Sequence, residues 1–160
     1  MKKKQFGNSQ GLTLIELLVV MVIMGILATI GYGQYRTSQI KARDAQRKGD
    51  LDNVAKALEM YYNDNEAYPP DDGSGNIQVD TESKAWGSEF STDEVIYMKT
   101  LPSDPNDDYQ YCYASDGTQY KLYSVLENSR DSDYDADGFS CGGNSYYRYG
   151  VTSSNTTLEE

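Results

Sequence analysis

The feature that most constrains this chain is an apolar run close to the N-terminus. Residues 12–32 are almost all apolar, and Glu16 is the only charged residue among these 21. A helix of that length, at about 1.5 Å per residue, just spans a bilayer core of roughly 30 Å. The run follows a lysine-rich stretch and predicts a transmembrane helix. A removable secretory signal is the alternative, but the run is too long and no A-x-A-like site closes it.

Glu16 stands out within that run, because an ionisable group at membrane depth costs about 2.5–3.5 kcal/mol on insertion scales and is rarely left unpaired. Its position predicts a cationic partner. The alternative is that Glu16 lies near the end of the helix and reaches the membrane surface.

The rest of the chain is polar and strongly acidic. The 160 residues carry a net charge of −11, and residues 64–160 contain 20 acids but five bases. Such a surface disfavours binding to nucleic acid, and is compatible with cation binding or with solubility alone. The sequence contains no histidine, which excludes imidazole catalysis and histidine-ligated metals. We therefore predict that the chain is not an enzyme.

The N-terminal string KKKQFGNSQ-GLTLIELLVVMVIMG resembles the class III signal of type IV pilins and type II secretion major pseudopilins. A short leader ends at Gly11, the apolar run starts at Leu12, and Glu16 is the fifth residue after that glycine. The resemblance implies that a prepilin peptidase cuts between Gly11 and Leu12 and methylates the new N-terminus. It also implies that Glu16 pairs with the amine of a neighbouring subunit. The family usually has Phe in place of Leu12 and Pro in place of Gly33.

A second helical pattern follows the apolar run. Apolar residues recur at three- and four-residue spacing on one side, namely Leu51, Val54, Ala55, Leu58, Tyr61 and Tyr62. The other side is polar and carries Arg47, Lys48, Asp52, Lys56 and Glu59. We therefore predict one helix of about 50 residues that ends near 63–65, ahead of Pro69-Pro70.

The remainder of the chain alternates between loop and strand signals. Residues 71–91 are rich in Gly, Ser and Asp and predict a loop, while the S-x-x-E pattern at 91–94 predicts a short helix over 92–100. Alternating runs at 109–114 and 119–126, joined by Ser115-Asp116-Gly117, predict a β-hairpin. A third run at 145–151 would complete a small antiparallel sheet against the amphipathic half of the helix.

These patterns, with the resemblance, predict an α+β fold of the type IV pilin-like lollipop kind. One long N-terminal helix, transmembrane in its first half and amphipathic in its second, would pack on a small antiparallel β-sheet head. The predicted parts are a cleaved leader (1–11), a transmembrane and assembly helix (12–33), an amphipathic helix (34–64) and a C-terminal head (65–160).

Cys112 and Cys141 are the only cysteines, and both lie in the part predicted to be outside the cytoplasm. A disulfide is the simplest interpretation, and two free buried thiols are the alternative. In the chain-entropy model, closing a segment of about 30 residues contributes roughly 3.5 kcal/mol.

An acidic stretch between the cysteines predicts a calcium loop. Asp133, Asp135, Asp137 and Gly138 reproduce the D-x-D-x-D-G start of such a loop, although Asn144 replaces the bidentate Glu of a full EF-hand and no helices flank it. The candidate ligands are Asp131, Asp133, Asp135, Asp137, Phe139 and Asn144. The resemblance supports calcium, since major pseudopilins hold this ion near the C-terminus. A solvated acidic loop is the alternative.

We interpret the chain as a structural subunit of a type IV pilus-like filament that polymerises through its N-terminal helix. The major pseudopilin of a type II secretion pseudopilus is the alternative within the same machinery. A membrane-tethered calcium-binding module that never polymerises is an alternative of another class, but a simple anchor has no use for a buried acid. The implied partners are further copies of the chain, the prepilin peptidase, an inner-membrane assembly platform and the membrane.

The predicted location is the inner membrane for the precursor, with the head outside the cytoplasm, and then an extracellular or periplasmic filament. Counting bases gives three in the leader and five just beyond the apolar run, at Arg36, Lys41, Arg43, Arg47 and Lys48. The positive-inside rule alone would therefore place the head in the cytoplasm. The expected disulfide and calcium loop favour the opposite orientation.

Overall fold

The computed structural model of the protein describes residues 11–158, except for the side chains of residues 30–32. Leader residues 1–10 lie outside the described residues, so the structure does not bear on that part of the predicted leader. The chain divides into two compact units, one ending at Gln39 and the other beginning at Ile40.

The first unit is dominated by an exposed apolar helical surface. Helix α1 spans Leu14–Asn65, which confirms the long helix predicted from the sequence. All described side chains from Leu12 to Leu27 are exposed. One stretch of α1 near the N-terminus is long and apolar enough to cross a membrane. A surface of this kind requires lipid or other apolar helices around it.

Helix α1 ends through the backbone conformation of Glu66. Glu66 adopts a left-handed conformation with φ of 58°, and its N–H donates to the carbonyl of Tyr62 at 2.8 Å. The Asn65 side chain also donates to the carbonyl of Tyr61 at 2.9 Å. The bond from Glu66 satisfies a carbonyl of the last turn that would otherwise lack a partner, and the Asn65 side chain adds a second donor beside it. The helix therefore ends where the sequence predicts.

Short antiparallel strands form the rest of the second unit. They are β1 (Ile77–Val79), β2 (Glu82–Lys84), β3 (Phe90–Ser91), β4 (Ile96–Met98), β5 (Cys112–Ser115), β6 (Tyr120–Ser124), β7 (Phe139–Cys141), β8 (Asn144–Tyr147) and β9 (Tyr149–Thr152). Strands β5, β6 and β9 form one sheet in that order. The pairs β1–β2, β3–β4 and β7–β8 form three further sheets of two strands. The α+β fold class is thereby confirmed.

The predicted hairpin is present as β5 and β6, with Cys112 opposite Tyr123 and Ser115 opposite Tyr120. The single third strand predicted over 145–151 is wrong in detail, because the segment forms two strands that are separated at Arg148. The Arg148 N–H donates to the carbonyl of Ser124, and its carbonyl accepts from the N–H of Asp135. The chain therefore changes partners there, so that β8 pairs with β7 and β9 pairs with β6.

Two further predictions for residues 71–100 are wrong. The expected loop at 71–91 contains β1, β2 and β3, and Ile77 and Val79 of β1 are fully buried. The helix expected over 92–100 is a turn followed by β4. There the Thr92 N–H donates to the carbonyl of Val95, and the Val95 N–H donates to Oγ1 of Thr92. The β-branched residues Val95 and Ile96 favour strand pairing over so short a helix.

The core of the second unit lies between α1 and the β5–β6–β9 sheet. Leu51, Val54 and Leu58 are fully buried and belong to one cluster with Tyr113 and Leu122. This packing confirms the predicted apolar side of α1, except that Tyr62 is 40% exposed. The assignment of Arg47 to the polar side of α1 is wrong, because Arg47 is completely buried.

A second cluster lies on the other side of β5. It consists of Cys112, Tyr123, Val125, Cys141 and Tyr147. Successive residues of a strand point to opposite faces, so Tyr113 joins the helix cluster while Cys112 joins this one. The sheet is therefore buried on both faces, which fixes the loops at its ends.

Candidate functional site

The first candidate site is the start of helix α1, where Glu16 is held by Thr13. The Thr13 N–H donates to Oε2 of Glu16 at 2.9 Å, and the Thr13 hydroxyl donates to the same oxygen at 2.7 Å. In return, the Glu16 N–H donates to Oγ1 of Thr13 at 3.3 Å. This is a capping box, and it places a carboxylate at the helix N-terminus, where negative charge is favoured.

The sequence carried a signal for this contact, since Thr13-Leu14-Ile15-Glu16 has the T-x-x-E form. The contact was therefore predictable from the sequence, although only the charge of Glu16 was considered there. The structure places Gly11 and Leu12 immediately before the box, exposed and outside the helix. Cleavage between Gly11 and Leu12 would therefore leave both members of the box on the mature side.

The two cysteines form the predicted disulfide. Cys112 of β5 and Cys141 of β7 are bonded, with a Cα–Cα distance of 6.1 Å and 29 residues of separation. Gly75 packs directly over this bond with φ of +93°, and a Cβ there would lie 2.3 Å from Sγ of Cys112. Only glycine fits at this position, since the contact leaves no room and the backbone is left-handed.

The predicted calcium ligands lie in three places, namely the loop between β6 and β7, strand β7 and strand β8. Asp131 Oδ1 and Asp133 Oδ2 accept hydrogen bonds from Nζ of Lys48 at 2.5 and 2.7 Å. Asp135 Oδ1 accepts the N–H groups of Asp137 and Gly138, each at 2.9 Å. One ammonium therefore binds both Asp131 and Asp133, while the carboxylate of Asp135 is engaged within its own turn.

The predicted ligand set does not converge on one point in this arrangement. Within residues 11–158, no group of three or more acidic or cysteine side chains is placed to hold a metal ion. Phe139 lies in β7 and Asn144 in β8, where Asn144 is paired with Cys141. As arranged, the residues do not fit a calcium ion, and calcium binding stays a prediction from the sequence.

A buried ionic cluster around Arg47 was not predicted. The guanidinium binds Asp104 with two hydrogen bonds, from Nε at 2.9 Å and from Nη2 at 2.7 Å. Its Nη1 lies 2.8 Å from Oδ1 of Asp44 and 2.8 Å from Oε1 of Glu127. Glu127 also pairs with Arg43. Burial acts to lower the pKa of Arg47, but the bonds with Asp104 and Glu127 outweigh it and raise the pKa.

This cluster connects three separate parts of the second unit. Asp44 belongs to α1 and accepts the backbone N–H groups of Glu127 and Asn128 at 3.0 and 2.9 Å. Asp104 belongs to the segment between β4 and β5. Arg47 lies four residues before Leu51, on the same side of the helix. This position on the buried side was the sequence signal that could have predicted its burial.

A long helix that begins with an apolar stretch and a capped acid, together with a disulfide-bonded antiparallel head, defines a type IV pilin-like subunit. The comparison with protein families narrows this class. Residues 7–32 match the prokaryotic N-terminal methylation motif, and residues 34–138 match type II secretion system (T2SS), protein G. The chain belongs to the type II secretion system protein G family. It is accordingly a structural pseudopilin-type subunit and not an enzyme.

Curated relatives agree with the family match. The chain is 35% identical to the type II secretion system core protein G of Pseudomonas aeruginosa, over 83% of this chain and 95% of the relative. It is 33% identical to the protein of the same name from Vibrio cholerae, over 76% and 83% of the two chains. It is 29% identical to the type II secretion system core protein G of Escherichia coli K12, over 74% of this chain and 81% of the relative. No solved structure matches the chain.

Proposed function

We propose that the chain is the major pseudopilin of a type II secretion system and polymerises through its N-terminal helix into a pseudopilus. The observation that carries this proposal is the exposed apolar surface of α1, which begins with the acid Glu16. An anchor for a single protein needs apolar length alone, whereas a charge at this depth requires a partner. A neighbouring subunit supplies that partner at its own N-terminus.

Processing prepares the subunit for this contact. Cleavage after Gly11 creates an amine at Leu12, which is a cation at the end of an otherwise apolar surface. The Thr13–Glu16 capping box satisfies the carboxylate while the subunit remains alone in the membrane. On docking, Glu16 exchanges the neutral donors of Thr13 for a charged amine, which adds the attraction between two opposite charges to the hydrogen bond.

The head of this proposed subunit lies outside the cytoplasm, and the leader is removed at the cytoplasmic side. The disulfide supports this orientation, because such bonds persist in oxidising compartments. Three of the five bases beyond the apolar run, Arg43, Arg47 and Lys48, form ion pairs with carboxylates of the head. Their presence near the membrane therefore has a structural reason that is independent of topology.

Three variants of Glu16 test the mechanism in cells that assemble filaments. Glu16→Gln keeps the side chain of a capping box but removes the charge, and we expect subunits to accumulate in the membrane without filaments. Glu16→Asp keeps the charge and should retain part of the assembly. Glu16→Ala removes both and should behave as Glu16→Gln does. Normal filament yield from Glu16→Gln, measured by shearing and sedimentation, would show that charge pairing is not the driving contact.

The specific role in secretion is tested by deleting the gene in the source bacterium. We expect proteins of the culture medium to be retained in the cell envelope, while surface fibres and surface motility persist. The opposite result, unchanged secretion with loss of surface fibres, would assign the chain to a surface pilus of the same broad class.

A further inference from the structure

We infer that Lys48 is the built-in cation of the acidic loop, which consists of residues 127–138. Its ammonium group joins Asp131 and Asp133 at the place where the sequence predicts calcium, so the loop is ordered without a divalent metal. This inference concerns the folding of the head and does not depend on polymerisation.

The first support is the geometry at Lys48. Nζ donates to one oxygen of Asp131 at 2.5 Å and to one oxygen of Asp133 at 2.7 Å. The Lys48 side chain is 24% exposed and that of Asp131 is 22% exposed, so the pair is partly shielded from water and salt. Nζ also lies 5.5 Å from the ring centroid of Tyr149, a cation–π contact that fixes the ammonium from a third direction.

The second support is that α1 presents Lys48 from a rigid position. The preceding residue, Arg47, is completely buried and is bonded to Asp44, Asp104 and Glu127. The lysine therefore projects from a backbone that is fixed by the buried cluster. An ammonium held in this way meets the carboxylates with less loss of side-chain entropy than a free surface lysine would.

The third support is that two other acids of the loop, Glu127 and Asp135, already have partners. Glu127 pairs with Arg43 and Arg47, and Asp135 accepts two backbone N–H groups of its own turn. A divalent cation would have to take Asp131 and Asp133 away from Lys48 and leave that ammonium without its partners. The geometry therefore opposes the metal instead of preparing a site for it.

The loop is also fixed at both ends by contacts that involve no metal. At its start, the N–H of Glu127 donates to Asp44. Towards its end, the N–H of Asp135 donates to the carbonyl of Arg148, and the disulfide at Cys141 follows three residues after the loop. Lys48 binds the middle part, which these end contacts leave free.

The test is amide hydrogen exchange of the full chain in detergent micelles, measured by mass spectrometry on residues 128–138. We expect the wild-type loop to show the same protection in excess chelator as in calcium at about 10 mM, which exceeds the dissociation constant of weak extracellular calcium modules. Lys48→Met should raise the exchange rate of the loop about tenfold in chelator. Lys48→Arg, which keeps the charge, should retain most of the protection.

Lys56→Met is the matched control, because Lys56 is an exposed lysine of the same helix and should leave the loop unchanged. If Lys48→Met disturbs the whole head, seen as faster exchange in β6, then Asp133→Asn provides the test, since it removes one partner and leaves the lysine in place. A wild-type loop that is protected only when calcium is present would overturn the inference. So would a loop in Lys48→Met, or in Asp133→Asn, that stays as protected in chelator as the wild type.

Discussion

Replacing Arg47 by methionine removes the one cation at the centre of the buried cluster while keeping most of the side-chain volume. Arg47 has no exposed surface, and the Asp104 side chain has none either. The Asp44 side chain is 2% exposed. The substitution therefore leaves the carboxylates of Asp44 and Asp104 without a base and shielded from water. Glu127 alone keeps a cationic partner, Arg43.

The expected loss follows from that burial. Breaking a buried ion pair by removing one partner costs about 3–5 kcal/mol, because the remaining charge is uncompensated. The net stability of a domain is about 5–15 kcal/mol, so the substitution removes a large fraction of it. For a unit of this size, a loss of that magnitude lowers the melting temperature by about 10–20 °C.

Thermal unfolding of the full chain in detergent micelles, followed by the fluorescence of Trp86, measures this loss. Arg36→Met is the matched control, because Arg36 is an exposed arginine of the same helix and should change the melting temperature by no more than about 2 °C. If Arg47→Met melts within that same margin of the wild type, the buried cluster does not hold the head together.

Three further predictions concern the head. Burial first, and then the hydrogen bond with Glu59, raise the pKa of Tyr68 to about 12. The stability from this neutral phenol is complete below pH 10 and should be lost as pH rises through 12, seen as phenolate absorbance that appears together with unfolding. Burial also raises the pKa of Tyr111, whose neutral phenol contributes to stability in the same direction. Replacing Cys112 and Cys141 by alanine should cost about 2–5 kcal/mol in a denaturant titration, and a cost near zero would contradict the role assigned to the disulfide. Glu66→Gly should stabilise the chain by about 1 kcal/mol, since glycine relieves the left-handed backbone, and a loss of stability would be the contrary result.

The long helix could be predicted because two independent patterns agree over its length. The apolar run defines its first part, and the spacing of Leu51, Val54 and Leu58 defines its second. Arg47 was assigned to the wrong side because charge was taken as a sign of exposure. Its carboxylate partners, Asp104 and Glu127, are 57 and 80 residues away in the sequence, and only the folded chain brings them together.

The capping-box motif, Ser or Thr followed three residues later by Glu, occurs at two sites. It led to a wrong prediction at one site and was not noticed at the other. Ser91 and Glu94 have the form of a capping box, but only seven residues separate Glu94 from Pro102, and a helix that short has too few hydrogen bonds to repay its nucleation. Thr13 and Glu16 precede about 50 residues of strong helical pattern, and there the capping box forms. Motif and context together were needed for a correct prediction.

The acidic loop shows the limit of reading ligands from spacing. Alternating aspartates are typical of a calcium loop, and the spacing alone could not indicate that a lysine of a distant helix faces two of them. Lys48 and Asp133 are 85 residues apart. The disulfide was easier to predict, because the chain offers only one pair of cysteines.

The most direct test of the central claim is the mass of the N-terminal peptide of the chain recovered from assembled filaments. We predict that this peptide begins at Leu12 and carries one methyl group on its amine, because polymerisation needs the cation that cleavage creates opposite Glu16. Filaments whose subunits retain an intact Met1 would contradict the proposal that this chain assembles as a processed pseudopilin.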